Sequence, residues 1–392
     1  WSLLLFALAV LAKEEGITLV AIVFLTELLL PRRGSPNRLK ALGGYVVVAG
    51  LMFLLLKLMF AASSDIARGN LSRWSYFMTQ WRAWIHYLTL LVWPWDLNAD
   101  NLEFGFSHSI WDTKVISALF ANALLLGGAW LLRKRHPIFL FSLLWFYIAL
   151  SPASSVVVLG EPVNDHRMYL AYFGLLGAVV PWLLKGLAAV CGAGLSPNTP
   201  PMTGWVTLAA LAALFVGTQA RNQVWSSQET LWGDTVAKNP RSGRALNNLS
   251  LAYFPKQEWD RALEILRRCE WVDPTYPQCK LNLGIVYGHL GRDVEAEDKF
   301  RQAIQLDPLR TDGRSFYASF LERRDRLDEA LGLYQRIDTM AEGTDLNAKL
   351  GLARLHRRQG RAAEAERLLL EARQRFGDLP QIAAMTADGA TR

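Results

Sequence analysis

Two short charged clusters interrupt otherwise apolar sequence, and both carry residue types that can do chemistry. The first is Ala12-Lys13-Glu14-Glu15-Gly16-Ile17-Thr18. Charges next to apolar, lipid-compatible sequence must be paired, face a water-filled cavity or lie at an interface, and Gly16 permits a turn or tight packing. The second is Glu161-Pro162-Val163-Asn164-Asp165-His166-Arg167-Met168-Tyr169-Leu170, which opens an apolar stretch. An arginine at a helix N-terminus, helped by backbone N–H groups, can anchor a phosphate or pyrophosphate. Asp165 and His166 beside it could move a proton or hold a metal. Each cluster also reads as a helix-connecting loop, with Arg167 merely meeting lipid headgroups. His108, Asp96 and Asp100 have no catalytic or metal spacing and are expected to be solvated; a two-His metal site from His86 and His108 is the alternative. Cys191, Cys269 and Cys279 match no metal pattern. Two unpaired buried thiols are expected at 269 and 279, with a disulfide between them as the alternative in an oxidising compartment.

The elements that must position these residues follow from composition. The chain has 392 residues, 52% hydrophobic and 20% charged, with 15 Trp. Residues 1–220 hold 15 Lys+Arg and 10 Asp+Glu, whereas residues 221–392 hold 27 and 25. Two solvents are implied, lipid for the first part and water for the second. That excludes a single soluble globule, a disordered chain and a disulfide scaffold. Of the net charge of +7, the apolar part carries +5, concentrated in short loops where membrane proteins keep it, so nucleic-acid binding is a poor reading of the basic balance. The chain opens at Trp1 with no Met and no signal-peptide pattern, and is expected to be a fragment lacking its upstream part.

Spanning helices of about 20 apolar residues are expected at Gly43–Ala62, Lys114–Leu132, Met168–Val190 and Gly204–Ala220, with shorter ones at Ile17–Leu30 and Pro137–Leu150. Residues 1–12 read as the end of a further span. The basic clusters Arg32, Arg33, Arg38, Lys40 and Arg133, Lys134, Arg135 should both face the cytoplasm. Ser75–Trp93 then cannot span and is expected to lie in the interface or re-enter. Its apolar face is Phe77, Trp81, Trp84, Leu88 and Leu91; Thr79, Arg82, His86 and Thr89 form another. This topology places Lys13, Glu14, Glu15, Arg82, His86, Asp165, His166 and Arg167, together with everything after residue 221, on the extracytoplasmic side.

The second part is repetitive. Pro240, Pro274 and Pro308 are 34 residues apart. In the same frame fall Leu249, Leu283 and Tyr317; Ser250, Gly284 and Ala318; Ala262, Ala296 and Ala330; and Leu266, Phe300 and Tyr334. This is the tetratricopeptide pattern of paired antiparallel helices, in which small residues let helices touch and Pro stops the second helix. A fourth copy, slipped by one residue, carries Ala353, Gly360, Ala365, Leu369 and Ala372. The expected architecture is all-α: a polytopic transmembrane helical domain over 1–220, a connecting helix within 221–242, about four repeats forming an α-solenoid over 243–376, and a tail at 377–392. Such arrays bind extended peptides or partner proteins, or serve as platforms. His289 and His356 are expected to be packing or surface residues.

Three motifs in order carry a resemblance: Leu11-Ala12-Lys13-Glu14-Glu15-Gly16-Ile17-Thr18, then Tyr76–Trp95 with Leu97-Asn98-Ala99-Asp100, then Asn164-Asp165-His166-Arg167-Met168-Tyr169-Leu170, all ahead of tetratricopeptide repeats. They resemble the transmembrane and tetratricopeptide-repeat-containing O-mannosyltransferases and their bacterial relatives. The resemblance implies the C-terminal part of a GT-C glycosyltransferase. Such an enzyme moves a sugar from a polyprenyl-phosphate carrier to a protein Ser/Thr hydroxyl outside the cytoplasm, by inversion, with a carboxylate as base. The family's acidic pair lies in the first outer loop, expected upstream of residue 1, so the catalytic residues are unassigned; Glu14, Glu15 and Asp165 are the carboxylates that remain. By motif position Lys13, Glu14 and Gly16 match the family's Lys-Glu-x-Gly element, and Arg167 and Tyr169 its Arg- and Tyr-containing element. Ala171 stands where relatives often have Pro, and Asp165-His166 replaces a Glu-containing pair. Donor-phosphate binding is assigned to Lys13, Arg167, Arg82, His166 and Tyr169. No metal ligand is assigned, and a divalent cation is the one cofactor considered.

The implied partners are a polyprenyl-phosphate-linked sugar, an acceptor or partner protein on the repeats, and the lipid bilayer of a bacterial inner membrane, with no nucleic acid. Two other readings compete. One is a non-enzymatic membrane anchor displaying repeats for envelope assembly. The other is an envelope polysaccharide polymerase or ligase, which would favour several outer Arg and His residues over an acid pair.

Overall fold

Long runs of Leu, Val, Ala and Phe satisfy their backbone by internal hydrogen bonding, and every regular element among the described residues is a helix. The computed structural model describes residues 2–12, 14–30, 38–60, 72–94, 97–101, 104–151, 154, 162–163, 168–190 and 201–390. It divides into two compact units, Trp1–Trp225 and Ser226–Arg392.

In the first unit the helices are α1 (Ser2–Ala12), α2 (Leu19–Leu29), α3 (Arg38–Phe60), α4 (Arg73–Val92), α5 (Thr113–Leu132), α6 (Pro137–Ser151), α7 (Tyr169–Val190) and α8 (Pro201–Val224), with a 3-10 turn at Glu14–Thr18 between the first two. Caps set several starts: the Ser72 hydroxyl accepts from the Trp74 and Ser75 amides, and the Asp112 carboxylate from the Lys114 amide. By length and composition two described helical stretches are apolar enough to cross a membrane, Thr113–Leu132 and Tyr169–Gly186. Gly43–Leu54 of α3 is a shorter apolar stretch among the described residues, and α8 carries Thr218, Gln219, Arg221 and Asn222 in its last turns.

The core of this unit sets α4 against α6 and α7 through Ala83, Tyr87, Leu90, Leu143, Phe146, Met168 and Ala171. The α6–α7 pair is tight, because a Cβ added at Gly174 would run into the Trp145 indole. On α4 the apolar face is not the most buried one. Its buried residues are Ser75, Tyr76, Met78, Thr79, Gln80, Ala83, Tyr87 and Leu90, whereas Phe77, Trp81, Trp84, Leu88 and Leu91 are half-buried. The indole and phenyl rings meet edge to face along the helix instead, with centroids 5.8 Å apart for Phe77–Trp81 and 4.9 Å for Trp81–Trp84.

The second unit opens with α9 (Gln228–Lys238) and continues as alternating pairs: α10 (Gly243–Leu251) with α11 (Trp259–Val272), α12 (Pro277–His289) with α13 (Asp293–Leu306), α14 (Asp312–Arg323) with α15 (Leu327–Met340), and α16 (Leu346–Arg358) with α17 (Ala362–Phe376). A last helix, α18 (Pro380–Ala390), packs on α17. The repeat positions behave as the period requires. Ala262, Ala296, Ala330, Leu266 and Phe300 are fully buried, and Gly284 stands so close to Phe300 that a Cβ there would lie 2.8 Å from its ring.

One expectation fails in this unit. Cys269 and Cys279 are buried but not free: they form a disulfide, with Cα atoms 6.1 Å apart. The turn between α11 and α12 brings the last turn of one helix against the first turn of the next, within the range a disulfide spans.

Candidate functional site

In the first unit the polar residues converge on α4. Thr79 donates to the Ser75 carbonyl at 2.7 Å and accepts from the Ser107 amide at 2.8 Å. One turn on, the Arg82 guanidinium donates to the Phe104 carbonyl at 2.7 Å, the Ser107 hydroxyl at 2.8 Å and the Gly105 carbonyl at 3.3 Å. It also lies 4.4 Å from the centre of the Phe104 ring. Gly105 takes φ +63°, a left-handed turn that lets both carbonyls face the one guanidinium. Arg82 and Thr79 together therefore hold the 104–107 loop against the helix.

Gln80, between them, faces elsewhere. Its Nε2 donates to the Pro162 carbonyl at 3.0 Å, and its Oε1 accepts from the Ser154 hydroxyl at 3.1 Å. Ser154 in turn accepts from Trp84 Nε1 at 3.2 Å. Asn122, a polar residue in the middle of apolar α5, donates to the Trp81 carbonyl at 3.1 Å and accepts from the Tyr147 hydroxyl at 2.6 Å. That amide ties α4, α5 and α6 together.

The sequence-assigned residues fare unevenly. Arg82 is brought into this network, engaged with the loop. Tyr169, at the start of α7, is 86% exposed; Tyr172, one turn later, is the tyrosine that reaches α4, donating to the Tyr87 carbonyl at 2.8 Å. Lys13, Asp165, His166 and Arg167 lie outside the described residues, as do the side chains of Glu14 and Glu15. Their neighbours are placed. A Cβ added at Gly16 would lie 2.8 Å from the Ala9 carbonyl oxygen, so this glycine is there for close packing on α1. Val163 and Met168, on either side of residues 164–167, are 0% and 3% exposed. Leu170 receives the Trp145 indole N–H on its carbonyl at 2.8 Å.

The loop after α4 differs from expectation. His108 is exposed, but Asp100 is 0% exposed and Asn98 7%. The Asn98 side chain accepts the Asp100 amide at 3.3 Å. Asp96 lies outside the described residues. His86 packs its ring 5.6 Å from that of Phe104. Among the described residues no three His, Cys, Asp or Glu side chains are grouped to hold a metal.

Gln80, Ser154 and Asn122 were not singled out by sequence. Amides buried in apolar helices were the available signal, but the partners of Gln80 lie 82 and 74 residues away and one partner of Asn122 lies 41 away.

In the second unit charge divides between the two helices of each pair. The first helices, α10, α12, α14 and α16, carry eight Lys/Arg against two Asp/Glu. The second helices, α11, α13, α15 and α17, carry nine against thirteen. Cross-repeat pairs stitch the array: Arg324 to Asp293 through two bonds of 2.7 Å, Arg354 to Glu322 through two of 2.7 Å, and Lys299 to Glu270 at 2.8 Å. His289 stacks on Trp259 with centroids 4.0 Å apart. Its pKa is lowered by burial, and then by Arg323 and Arg324.

The tetratricopeptide repeat family matches residues 281–344 and 346–376. Human protein O-mannosyl-transferase TMTC3 is 29% identical over 98 residues, 25% of this chain and 11% of that protein. Protein O-mannosyl-transferase Tmtc1 of Drosophila melanogaster is 34% identical over 100 residues, 25% of this chain and 12% of the relative. Human tetratricopeptide repeat protein 28 is 27% identical over 78 residues, 20% of this chain and 3% of that protein. The matched stretch thus spans about a tenth of the two O-mannosyl-transferases. Among solved structures, TTC0263, a TPR protein of Thermus thermophilus, aligns with TM-score 0.39 and 17% identity over 46% of this chain and 97% of that chain. YrrB, a TPR protein with an unusual peptide-binding site, aligns at 0.34 and 15% over 45% and 88%. The chain is an all-helical protein with tetratricopeptide repeats, which bind protein partners, and part of it is similar to protein O-mannosyl-transferases.

Proposed function

We propose that this chain belongs to a membrane glycosyltransferase that moves a sugar from a polyprenyl-phosphate carrier to a protein hydroxyl on the extracytoplasmic side. The observation that carries the reading is the similarity to protein O-mannosyl-transferases in a chain that joins apolar helices to tetratricopeptide repeats. Two features support it. The first unit turns large apolar side chains outward, among them Val46, Phe53, Phe120, Leu131, Phe173 and Phe215, a surface suited to lipid rather than water. The second unit contains a disulfide, which persists in oxidising compartments.

In this GT-C-type scheme the lipid-linked donor is met at the interface of a bacterial inner membrane. Its phosphate leaving group gains negative charge as the glycosidic bond breaks, and Arg167 and Lys13, with His166 and Tyr169, supply the donors that stabilise it. Arg82, whose guanidinium holds the 104–107 loop, acts through that loop. The acceptor hydroxyl loses its proton to a carboxylate within about 3 Å, for which Glu14, Glu15 and Asp165 are this chain's candidates. The repeats hold the acceptor or a partner.

A non-enzymatic membrane scaffold is the second reading, favoured by one observation: the one donor-binding cation among the described residues, Arg82, is occupied structurally. Incubating the full-length protein with labelled polyprenyl-phosphate sugars and acceptor protein separates the two. Label transferred to protein supports the enzyme; a folded protein that binds partners and transfers nothing supports the scaffold.

A further inference from the structure

Carboxylates are missing from two long stretches of the first unit: no Asp or Glu lies between Asp112 and Glu161, or between Asp165 and Glu229. Within these stretches four cations and a histidine collect at one end of three helices. The α5–α6 turn carries Arg133, Lys134, Arg135 and His136. There α7 meets it, with the His136 ring edge-on to Trp182 and centroids 5.2 Å apart. Lys185, one turn further along α7, brings its ammonium to 5.3 Å from the centre of the same indole. Arg133 donates to the Trp130 carbonyl at 2.8 Å and lays its guanidinium 3.9 Å from the centre of the Trp130 ring. A neutral carbonyl and a π face orient that guanidinium without cancelling its charge. Lys134, Arg135, His136 and Lys185 are exposed, and among the described residues no carboxylate pairs with any of the five.

The cluster coincides with an apolar boundary. Leu132 and Gly186 end the two helical stretches that are apolar enough to cross a membrane, so it lies at the level where both would leave lipid. Beside it Trp130, Leu131, Ile138, Trp182 and Leu183 turn outward, Leu131 79% exposed and Leu183 64%. A surface that is cationic at its tip and aromatic and aliphatic just behind fits a ligand built the same way, an anionic head on apolar chains. An inorganic anion would leave the apolar collar uncovered.

We propose that the α5–α6 turn and the facing end of α7 hold an anionic phospholipid. Its headgroup phosphates lie among Arg133, Lys134, Arg135 and Lys185, and its acyl chains run along Trp182, Leu183 and Ile138. Four full positive charges with no carboxylate between them favour a headgroup with two phosphates over one. His136 and Lys185 hold the Trp182 indole from two sides, which makes it a fixed wall beside the headgroup. Arg167 precedes the opposite end of α7, so this lipid is distinct from the sugar donor. The inference rests on the membrane reading of the first unit and not on sugar transfer.

The test uses the full chain purified in detergent and native mass spectrometry with added cardiolipin, phosphatidylglycerol, phosphatidylcholine or inorganic pyrophosphate. One cardiolipin is expected to be retained at least about tenfold more tightly than phosphatidylcholine, with phosphatidylglycerol between them, pyrophosphate not retained, and affinity falling as salt rises. Lys134→Glu with Arg135→Glu, both at exposed positions, should weaken cardiolipin binding by about tenfold or more. Trp182→Ala should weaken it severalfold and Trp182→Phe little. Arg261→Glu with Arg367→Glu on the repeats makes the same change of net charge and should leave it unaltered. Equal retention of cardiolipin and phosphatidylcholine, or unchanged cardiolipin binding in the Lys134→Glu, Arg135→Glu variant, overturns the proposal. Pyrophosphate bound as tightly as cardiolipin makes this a site for a free anion and overturns it too. A chain that stays in solution without detergent and takes up no phospholipid overturns the membrane reading as well, whereas loss of lipid selectivity in a detergent-requiring chain overturns this proposal alone. Transferase activity does not enter the readout.

Discussion

Gln80 holds the Pro162 carbonyl at 3.0 Å from its Nε2 while its Oε1 receives the Ser154 hydroxyl at 3.1 Å. One buried amide on α4 thus fixes both flanks of residues 155–161, and Val163 and Met168 continue the anchoring on either side of 164–167. Gln80→Leu keeps the volume but strands a buried carbonyl and a buried hydroxyl. It should cost about 1–3 kcal/mol of stability, read by thermal unfolding in detergent. In a transfer assay it should raise KM for the lipid-linked donor more than it lowers kcat, because it disturbs the placement of Ser154 and Pro162 and not a reacting group. A variant with native Tm and native KM would remove Gln80 from that role.

At Gly284 the repeat leaves no room beyond a hydrogen, although the equivalent residues are Ser250 and Ala318. The Phe300 ring lies 2.8 Å from the place a Cβ would take. Gly284→Ala forces a small ring shift, whereas Gly284→Leu overpacks a closed joint. The leucine variant should lose about 1–3 kcal/mol or more and the alanine variant clearly less, measured as shifts of the denaturant midpoint.

The Cys269–Cys279 disulfide closes a short loop between two buried positions. Replacing both cysteines by serine should cost about 2–4 kcal/mol and lower Tm. Because both sulfurs are fully buried, dithiothreitol should act slowly on the folded chain and readily on the unfolded one. Rapid reduction under native conditions would show that the joint between α11 and α12 opens.

His289 carries a pH dependence whose sign follows from its surroundings. Burial and the nearby Arg323 and Arg324 disfavour its charged form in the folded chain, whereas an unfolded histidine titrates near 6.5, an approximate reference value. The unfolded chain therefore takes up the proton first. Stability present above that value is lost as pH falls toward the lowered folded value. Tm should drop more between about pH 7.5 and 5.5 in the native chain than in His289→Gln. The His289 NMR titration should move upward in Arg323→Glu.

The repeats were legible because their information is local and periodic: a small residue at 284 or 318, an alanine at 262, 296 or 330 and a proline at the turn each report the same packing. The polar network on α4 was not. Its aromatic stripe has the period of a buried face, yet Thr79, Gln80 and Ala83 occupy the core. Polar side chains go inside only with partners, and those partners sit on loops far along the chain, where periodicity carries no signal. Asp100 misled for the same reason: a charged residue in a loop reads as solvated until the fold closes over it. The cysteine pair shows the opposite limit, since a ten-residue spacing was visible but the turn that brings the sulfurs together was not.

The most direct measurement is mass-spectrometric mapping of sugar on acceptor protein after incubation with the full-length protein and polyprenyl-phosphate donor, comparing the native sequence with Arg167→Ala. The account predicts a hexose on Ser or Thr hydroxyls with the native protein and none with a folded Arg167→Ala. Unmodified acceptor with both proteins, or equal modification by both, would contradict it.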